Sequence, residues 1–482
     1  MRIRICATFV LGSCLVAAAV ATPGSGASGR ARALPRAHPD AAARIARYLR
    51  HETASKRFSG TALVAVGGKV VLERSYGLAN RERGRPNTPR TRYRVNWYVR
   101  RWLAVALLQL EERGRISLTA PACRPISACP RLGRSFTLRD VLEYRATLRV
   151  PPLGGHTDLR GWARRARTRG SLSWAAEPEF VIDDDLPLAA AVERASGMPW
   201  LRYLRTSVFR PARMFSTGIA SARMRSHGYI GRRDGGLARA RPPKRLVQPD
   251  VYGLVTTAHD LWLFDQALWE SKILRPKMLK RVFGRPYGWK YGWIVGPQNG
   301  LLAADGTAHG DPGWYALAIR YPRKRLSIVL LANEGAPSRP GTPAAALGDL
   351  EAVISSIVLG RPCHTPPRPV KVDPGILAAY AGSYKGKRIY GPGAINPPPP
   401  ELDLTASVVG GRLVVQWDAK QNARFGNFFS SGPLIPLSTT KFASERDTDL
   451  RFAFTRDGQA VKLLVTHVCF RGLVTRLVRV TD

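Results

Sequence analysis

Trp97 and Arg100 stand three residues apart where the polar stretch Tyr93-Arg94-Val95-Asn96 gives way to a long apolar run. On a helix that spacing puts both side chains on one face. Trp97 could be the floor of a cleft on which a ligand stacks, or it could simply fill space. Arg100 could grip an anion, or it could close a salt bridge with Asp183 or Asp184, because a buried arginine needs a partner. Neither can be a nucleophile or a general base. Indole has no attacking atom, and a guanidinium does not lose its proton in a protein. No Ser, Thr or Cys lies between Tyr93 and Gln109.

Other chemistry-bearing residues are scattered. Asp183-Asp184-Asp185 could suggest a metal site, but the run precedes a helical segment, where carboxylates supply an N-cap and favourable charge. His309 has the side chain of a general base and no nucleophile to serve. Of six cysteines, Cys6 and Cys14 fall in the N-terminal apolar run, leaving Cys123, Cys129, Cys363 and Cys469. Their spacing resembles no zinc site. An even number suits disulfides in an exported protein. Three pairings are open, the most local being Cys123 with Cys129 and Cys363 with Cys469. The sequence calls for no metal and no cofactor.

The elements that must position these residues are legible. Ala41 to His51 reads as a helix. Two β-rich runs flank Gly67-Gly68, a hairpin signal. The run from Trp97 to Gly114 is apolar around most of its circumference and reads as a helix buried on nearly all sides. Thr137 is an N-cap candidate with Asp140 three residues on. The segment from Asp183 to Gly197 reads as another helix, and Gly253 to Leu268 as an amphipathic one. Gly313–Tyr321 and Arg325–Gly335 read as strands joined by the basic turn Pro322–Arg325, and a last helix spans about 344–359. Beyond a Pro-rich break the pattern changes to short strands turning at Gly410-Gly411 and Asp457-Gly458, which predicts a separate all-β domain.

Composition bounds the rest. A chain of 482 residues suggests two or three domains, and 45% hydrophobic residues suffice for a sizeable core. The net charge of +41 comes from scattered Lys and Arg, not from one run, and suits a solvated basic surface or an acidic polymer partner. No nucleic-acid module accompanies it. Arg2 and Arg4, the apolar run from Ile5 to Ala21 and Ala19-Val20-Ala21 predict an export signal cleaved near Ala21. Leu11-Gly12-Ser13-Cys14 resembles a lipoprotein box, but the apolar run continues past it. No later segment is apolar enough to span a membrane.

Taken together, residues from about Ala41 to Leu359 resemble the β-lactamase-related serine hydrolases, which include class C β-lactamases, D-alanyl-D-alanine carboxypeptidases and related esterases. The resemblance rests on the Phe58–Asn80 hairpin, the Trp102–Leu118 helix, the Phe136–Tyr144 segment, the stretches Phe264–Leu279 and Tyr287–Val295, and the strand pair Gly310–Gly335. It implies an α/β sandwich: an antiparallel sheet with helices on both faces and a helical subdomain, followed by a small C-terminal β domain of barrel type. The implied boundaries are a signal over 1–21, a leader over 22–40, the hydrolase-like domain over 41–362, a linker over 363–374 and the β domain over 375–482.

The chemistry of that family needs Ser-x-x-Lys, Tyr-x-Asn and Lys/His-x-Gly. Aligned through Trp102–Leu110, the first is Trp97-Tyr98-Val99-Arg100 here. The second falls on Phe180 and Ile182, or on Ile182 and Asp184 with a two-residue deletion. The third falls on Thr307-Ala308-His309. A further signature, usually His-Thr-Ser-Gly, reads Tyr144-Arg145-Ala146-Thr147. The expectation is therefore an exported pseudoenzyme whose former cleft, with Trp97, Arg100, Ile182, Asp184, Thr307 and His309 at the family positions, binds a cell-wall or small-molecule ligand. Two alternatives stay open: an active esterase, carboxypeptidase or β-lactamase-like hydrolase with an atypical nucleophile, and a basic binding module for acidic cell-envelope polymers. Oligomeric state is not legible.

Overall fold

The computed structural model describes residues 37–55, 57–95, 98–121, 137–143, 145, 147–149, 173–175, 185–220, 226–231, 236–240, 253–284, 288–298, 301–306, 313–335, 343–360, 367–390, 401–418, 431–445, 450–458, 460–467 and 473–480. Helix α1 (Ala41–Ala54) buries Ala41, Ile45, Ala46 and Leu49, a stripe at helical spacing, and leaves its arginines exposed. It leads into β1 (Gly60–Val66) and β2 (Lys69–Tyr76). The turn between them has Gly67 at φ 62° and Gly68 at φ 81°. Two successive left-handed residues match the right-handed twist of the strands, and glycine adopts them without steric cost.

Five later strands complete the main sheet: β3 (Gly288–Lys290), β4 (Trp293–Gln298), β5 (Leu301–Asp305), β6 (Tyr315–Tyr321) and β7 (Leu326–Ala332). The spatial order is β3-β4-β5-β6-β7-β1-β2, with every neighbour antiparallel. The first strand thus docks beside the last, Gly60 opposite Ala332 and Val66 opposite Leu326. Every residue of β1 and β7 is buried, so both faces of this sheet are covered. Side chains alternate between the faces. Leu63, Val329 and Leu331 enter one core, while Val64, Ile328 and Leu330 enter the other.

The first core is built around α2 (Val99–Glu112), where every residue from Val99 to Leu110 is buried. Around it lie α3 (Leu138–Leu142), α4 (Asp185–Ser196), α5 (Trp200–Leu204), α6 (Ala258–Trp269) and α7 (Pro276–Phe283). Thr137 caps α3, accepting from the Asp140 amide, while the Asp140 carboxylate accepts from the Thr137 amide. Complete burial of α2 forces its polar side chains to find partners. Gln109 donates to the Ile273 carbonyl at 2.7 Å and to the Ser207 carbonyl at 3.0 Å. The second core lies between the opposite sheet face, α1 and α8 (Pro343–Val358). This is the expected antiparallel sheet with helices on both faces.

Past the Pro-rich stretch, Asp373 caps the short helix α9 (Pro374–Ala378), accepting from the Gly375 amide at 2.7 Å. A closed barrel follows: β8 (Gly382–Tyr390), β9 (Glu401–Val409), β10 (Arg412–Trp417), β11 (Gly432–Pro436), β12 (Lys441–Ser444), β13 (Leu450–Asp457), β14 (Ala460–His467) and β15 (Leu473–Arg479). It closes because β15 pairs back on β8, which leaves no free edge. Its own apolar core contains Tyr384, Trp417, Phe442, Phe452 and Phe454, with Tyr380 stacked on Phe454 at 4.4 Å. Among the described residues no helix is long and apolar enough to cross a membrane.

Candidate active-site cleft

The residues of interest gather at the N-terminal end of α2. Its first turn carries Tyr98, Arg100, Arg101 and Trp102, all with 3% exposure or less. Two adjacent arginines at such depth cannot stay without counter-charge. The Arg100 Nε donates to Asp185 Oδ1 at 2.7 Å, and its Nη1 donates to the Val141 carbonyl at 3.1 Å. Both partners of the ion pair are almost wholly shielded, at 4% and 2% side-chain exposure. Burial pushes the Asp185 carboxyl up from its ordinary range, against the downward pull of Arg100 and Arg101.

The structure pairs Arg100 with Asp185, while Asp183 and Asp184, the partners expected, lie outside the described residues. The Asp185 contact follows from where α4 begins. Asp185 is its first residue and is buried, so its side chain meets α2 across the helix pair.

The Arg100 side chain also organises what surrounds it. Gly292 has φ 88°, and a Cβ there would lie 3.1 Å from Arg100 Cγ. The Gly292 amide donates to the Leu142 carbonyl at 2.9 Å. One arginine therefore touches α2, the C-terminal end of α3, the start of α4 and the β3–β4 turn. Gly306, just past β5, is equally confined: a Cβ there would meet Tyr98 Cε2 and the Ala318 carbonyl at 3.0 Å.

Tyr98 is the one hydroxyl in this turn. Desolvation drives its pKa well above the ordinary tyrosine value, the opposite of what an attacking phenolate needs. The Arg101 guanidinium lies 5.4 Å from its ring centroid, and the Trp102 ring 5.5 Å away. Tyr98 lines an internal cavity of about 20 Å³ together with Asp265, Arg320 and Ser327. That is room for about one water and no substrate.

A displaced nucleophile would need a hydroxyl held by a base. Ser327 donates to Asp265, and Asp265 also pairs with Arg320 Nε at 3.0 Å. Ser327 is 2% exposed, and the groups gathered at it are the Asp265 carboxylate and the Arg320 guanidinium. Thr217 donates to Asp260 at 2.7 Å and shares a 2.6 Å bond with Thr256. Neither group is arranged as a nucleophile with its base. Among the described residues no cluster of His, Cys, Asp and Glu could hold a metal.

Trp97, Ile182, Asp184, Thr307 and His309 lie outside the described residues, as do Asp183, Phe180 and Tyr144. So do the four cysteines Cys123, Cys129, Cys363 and Cys469. Arg145, in the expected signature, is described: it pairs with Glu143 at 2.7 Å and Asp140 at 3.3 Å. The residues that sequence reasoning passed over are Arg101, Tyr98, Asp185 as a partner, and Gly292. The signal for the first was present, since two charges inside an apolar helix demand buried partners. Gly292 gave none, because its neighbour comes from a segment about 190 residues away.

A family model named Beta-lactamase matches residues 45–352. The chain belongs to this family. It is 25% identical over 381 residues to penicillin-binding protein 4* of Bacillus subtilis, covering 68% of this chain and 79% of that one. It is 25% identical over 239 residues to the putative penicillin-binding protein PbpX of the same organism, covering 47% of this chain but only 59% of the relative's length. Among solved structures, FmtA from Staphylococcus aureus is similar with a TM-score of 0.56 at 18% identity, covering 71% of this chain and 95% of that one. The octameric penicillin-binding protein homologue from Pyrococcus abyssi gives the same score and identity over 91% and 99%. At such identity the structures share the fold.

Proposed function

We propose that this protein is an exported member of the beta-lactamase family that has given up acyl-enzyme chemistry and uses its cleft to bind a cell-wall fragment or another small molecule. The observation that carries the reading is the buried Arg100–Asp185 pair. A lysine in that place takes a proton from the serine one turn earlier. A guanidinium tied to a carboxylate at 2.7 Å can accept no proton, and indole at position 97 offers no hydroxyl to activate. The pair holds the helices together where a base would otherwise work. Export is supported by the basic, apolar, small-residue pattern of residues 1–21.

The test is covalent labelling of the purified protein with a fluorescent penicillin and with a fluorophosphonate, followed by mass mapping. A folded protein with no adduct is the expected result. An adduct at any residue overturns the reading and identifies the nucleophile.

A further inference from the structure

The opposite end of α2 carries a second feature. Glu111 lies eleven residues beyond Arg100, about 16 Å along the helix axis at 1.5 Å per residue. An open groove of about 560 Å³ is lined by Glu111, Arg139, Lys277, Lys280 and Arg281, with Met278 among them. Four cations face one carboxylate.

The charges in the groove divide into committed and uncommitted. Arg281 pairs with Glu111, whose other oxygen accepts from the Leu118 amide. Arg139 pairs with Glu143, a carboxylate with 2% side-chain exposure that Arg145 also holds. Lys277 and Lys280 are exposed and form no ion pair among the described residues. The two carboxylates are therefore spent on arginines, and two ammonium groups remain unneutralised beside them.

Helix electrostatics explain only part of this. Lys280 and Arg281 sit in the last turn of α7, where the carbonyl end of a helix favours cations. Lys277 sits in the first turn, where a helix favours anions and a lysine is disfavoured. That turn has no acidic residue, and Arg275 at the N-cap position makes no capping bond. An anion seated between Lys277 and Lys280 would turn this repulsive arrangement into an attractive one. We propose that the groove between α7 and the C-terminal end of α2 binds a phosphate-bearing ligand through Lys277 and Lys280, with Arg139 and Arg281 flanking it. Ammonium groups bind phosphate as point charges, and the volume exceeds what one phosphate fills, so the ligand is a phosphate ester or one repeat of a phosphodiester or polyphosphate chain. The proposal is independent of whether the cleft is catalytic.

The experiment is calorimetric titration of the full chain at near-physiological salt with inorganic pyrophosphate and, separately, with long-chain polyphosphate. Saturable binding of pyrophosphate supports a small phosphate ester, and binding of the polymer alone supports a chain repeat. In either case Lys277→Ala with Lys280→Ala weakens binding about tenfold or more. A charge-matched control, Arg44→Ala with Arg47→Ala on the exposed face of α1, leaves it unchanged. No binding of either probe overturns the proposal. So does an equal loss in the two double variants, which would mark diffuse attraction to a basic surface. Circular dichroism on both variants confirms that the fold persists.

Discussion

Arg100 on α2 and Asp185 at the start of α4 form a buried ion pair, Nε to Oδ1, at 2.7 Å. The pair crosses from one helix to the next and is shielded from solvent on both sides. Burying a charge pair gives little net stability, but breaking one is costly, because the survivor is left charged and unpaired.

Arg100→Ala is expected to destabilise the protein by about 3–5 kcal/mol, and Asp185→Ala by a similar amount. Replacing both with apolar residues of similar size, Arg100→Met with Asp185→Leu, recovers most of the loss. Urea denaturation of the singles and the double closes a double-mutant cycle. Additive losses would show that the two residues act independently.

Placing Ser-x-x-Lys at the start of α2 is not expected to confer acyl-transfer activity. Trp97→Ser with Arg100→Lys recreates Ser-x-x-Lys, but Asp185 would then stand beside the lysine and favour its charged form, which cannot accept a proton. Hydrolysis of a chromogenic cephalosporin by this double variant is expected to stay at background. Adding Asp185→Asn removes the stabilising charge, and any activity gained should appear only there.

Glu351 gives a pH dependence with a defined sign. It is fully buried on α8 and accepts from the Tyr321 hydroxyl at 2.7 Å and from Gln298 Nε2 at 3.2 Å. Burial raises its pKa to about 8 from an ordinary 4.5. Between those values the folded state holds a proton that the unfolded chain releases, so stability falls as pH rises across that window. Below pH 4.5 both states are protonated and the full contribution is present. Glu351→Gln should remove this decline: its stability relative to wild type is expected to be greater at pH 8 than at pH 5. Urea midpoints at the two values measure it, and a parallel shift at both would refute it.

Asn333 ties two loops to the sheet. Fully buried just past β7, it donates to the Leu78 and His227 carbonyls at 2.9 Å and accepts from Ser59 Oγ at 2.9 Å. Asn333→Ala leaves these groups without their partner and is expected to cost about 2–3 kcal/mol. Hydrogen exchange should show the loss first at the amides of Ala79 to Arg81 and of Tyr229. Uniform loss of protection across the sheet would show a global effect instead.

Gly292→Ala tests how tightly the β3–β4 turn is held. Its φ of 88° is strained for alanine, and the new Cβ would press on Arg100 at 3.1 Å. About 1–2 kcal/mol of destabilisation is expected from the backbone alone. The effect should shrink in an Arg100→Met background if contact with the arginine contributes.

The sequence by itself determined the elements and the family. Gly67-Gly68 marks a hairpin because two left-handed residues in succession suit glycine, and α2 is recognisable because an all-round apolar helix must be buried. That Trp97 cannot serve as a nucleophile nor Arg100 as a base was equally plain, since indole and guanidinium are the wrong chemical types whatever surrounds them. These conclusions rest on local pattern and residue chemistry, which need no coordinates. Only the tertiary structure decided that Asp185 meets Arg100, because that contact depends on where α4 starts and which side it turns to α2. Nor could the chain alone reveal that Lys277 and Arg139, more than a hundred residues apart, line one groove. Long-range packing brings such residues together, and no periodicity along the chain records it.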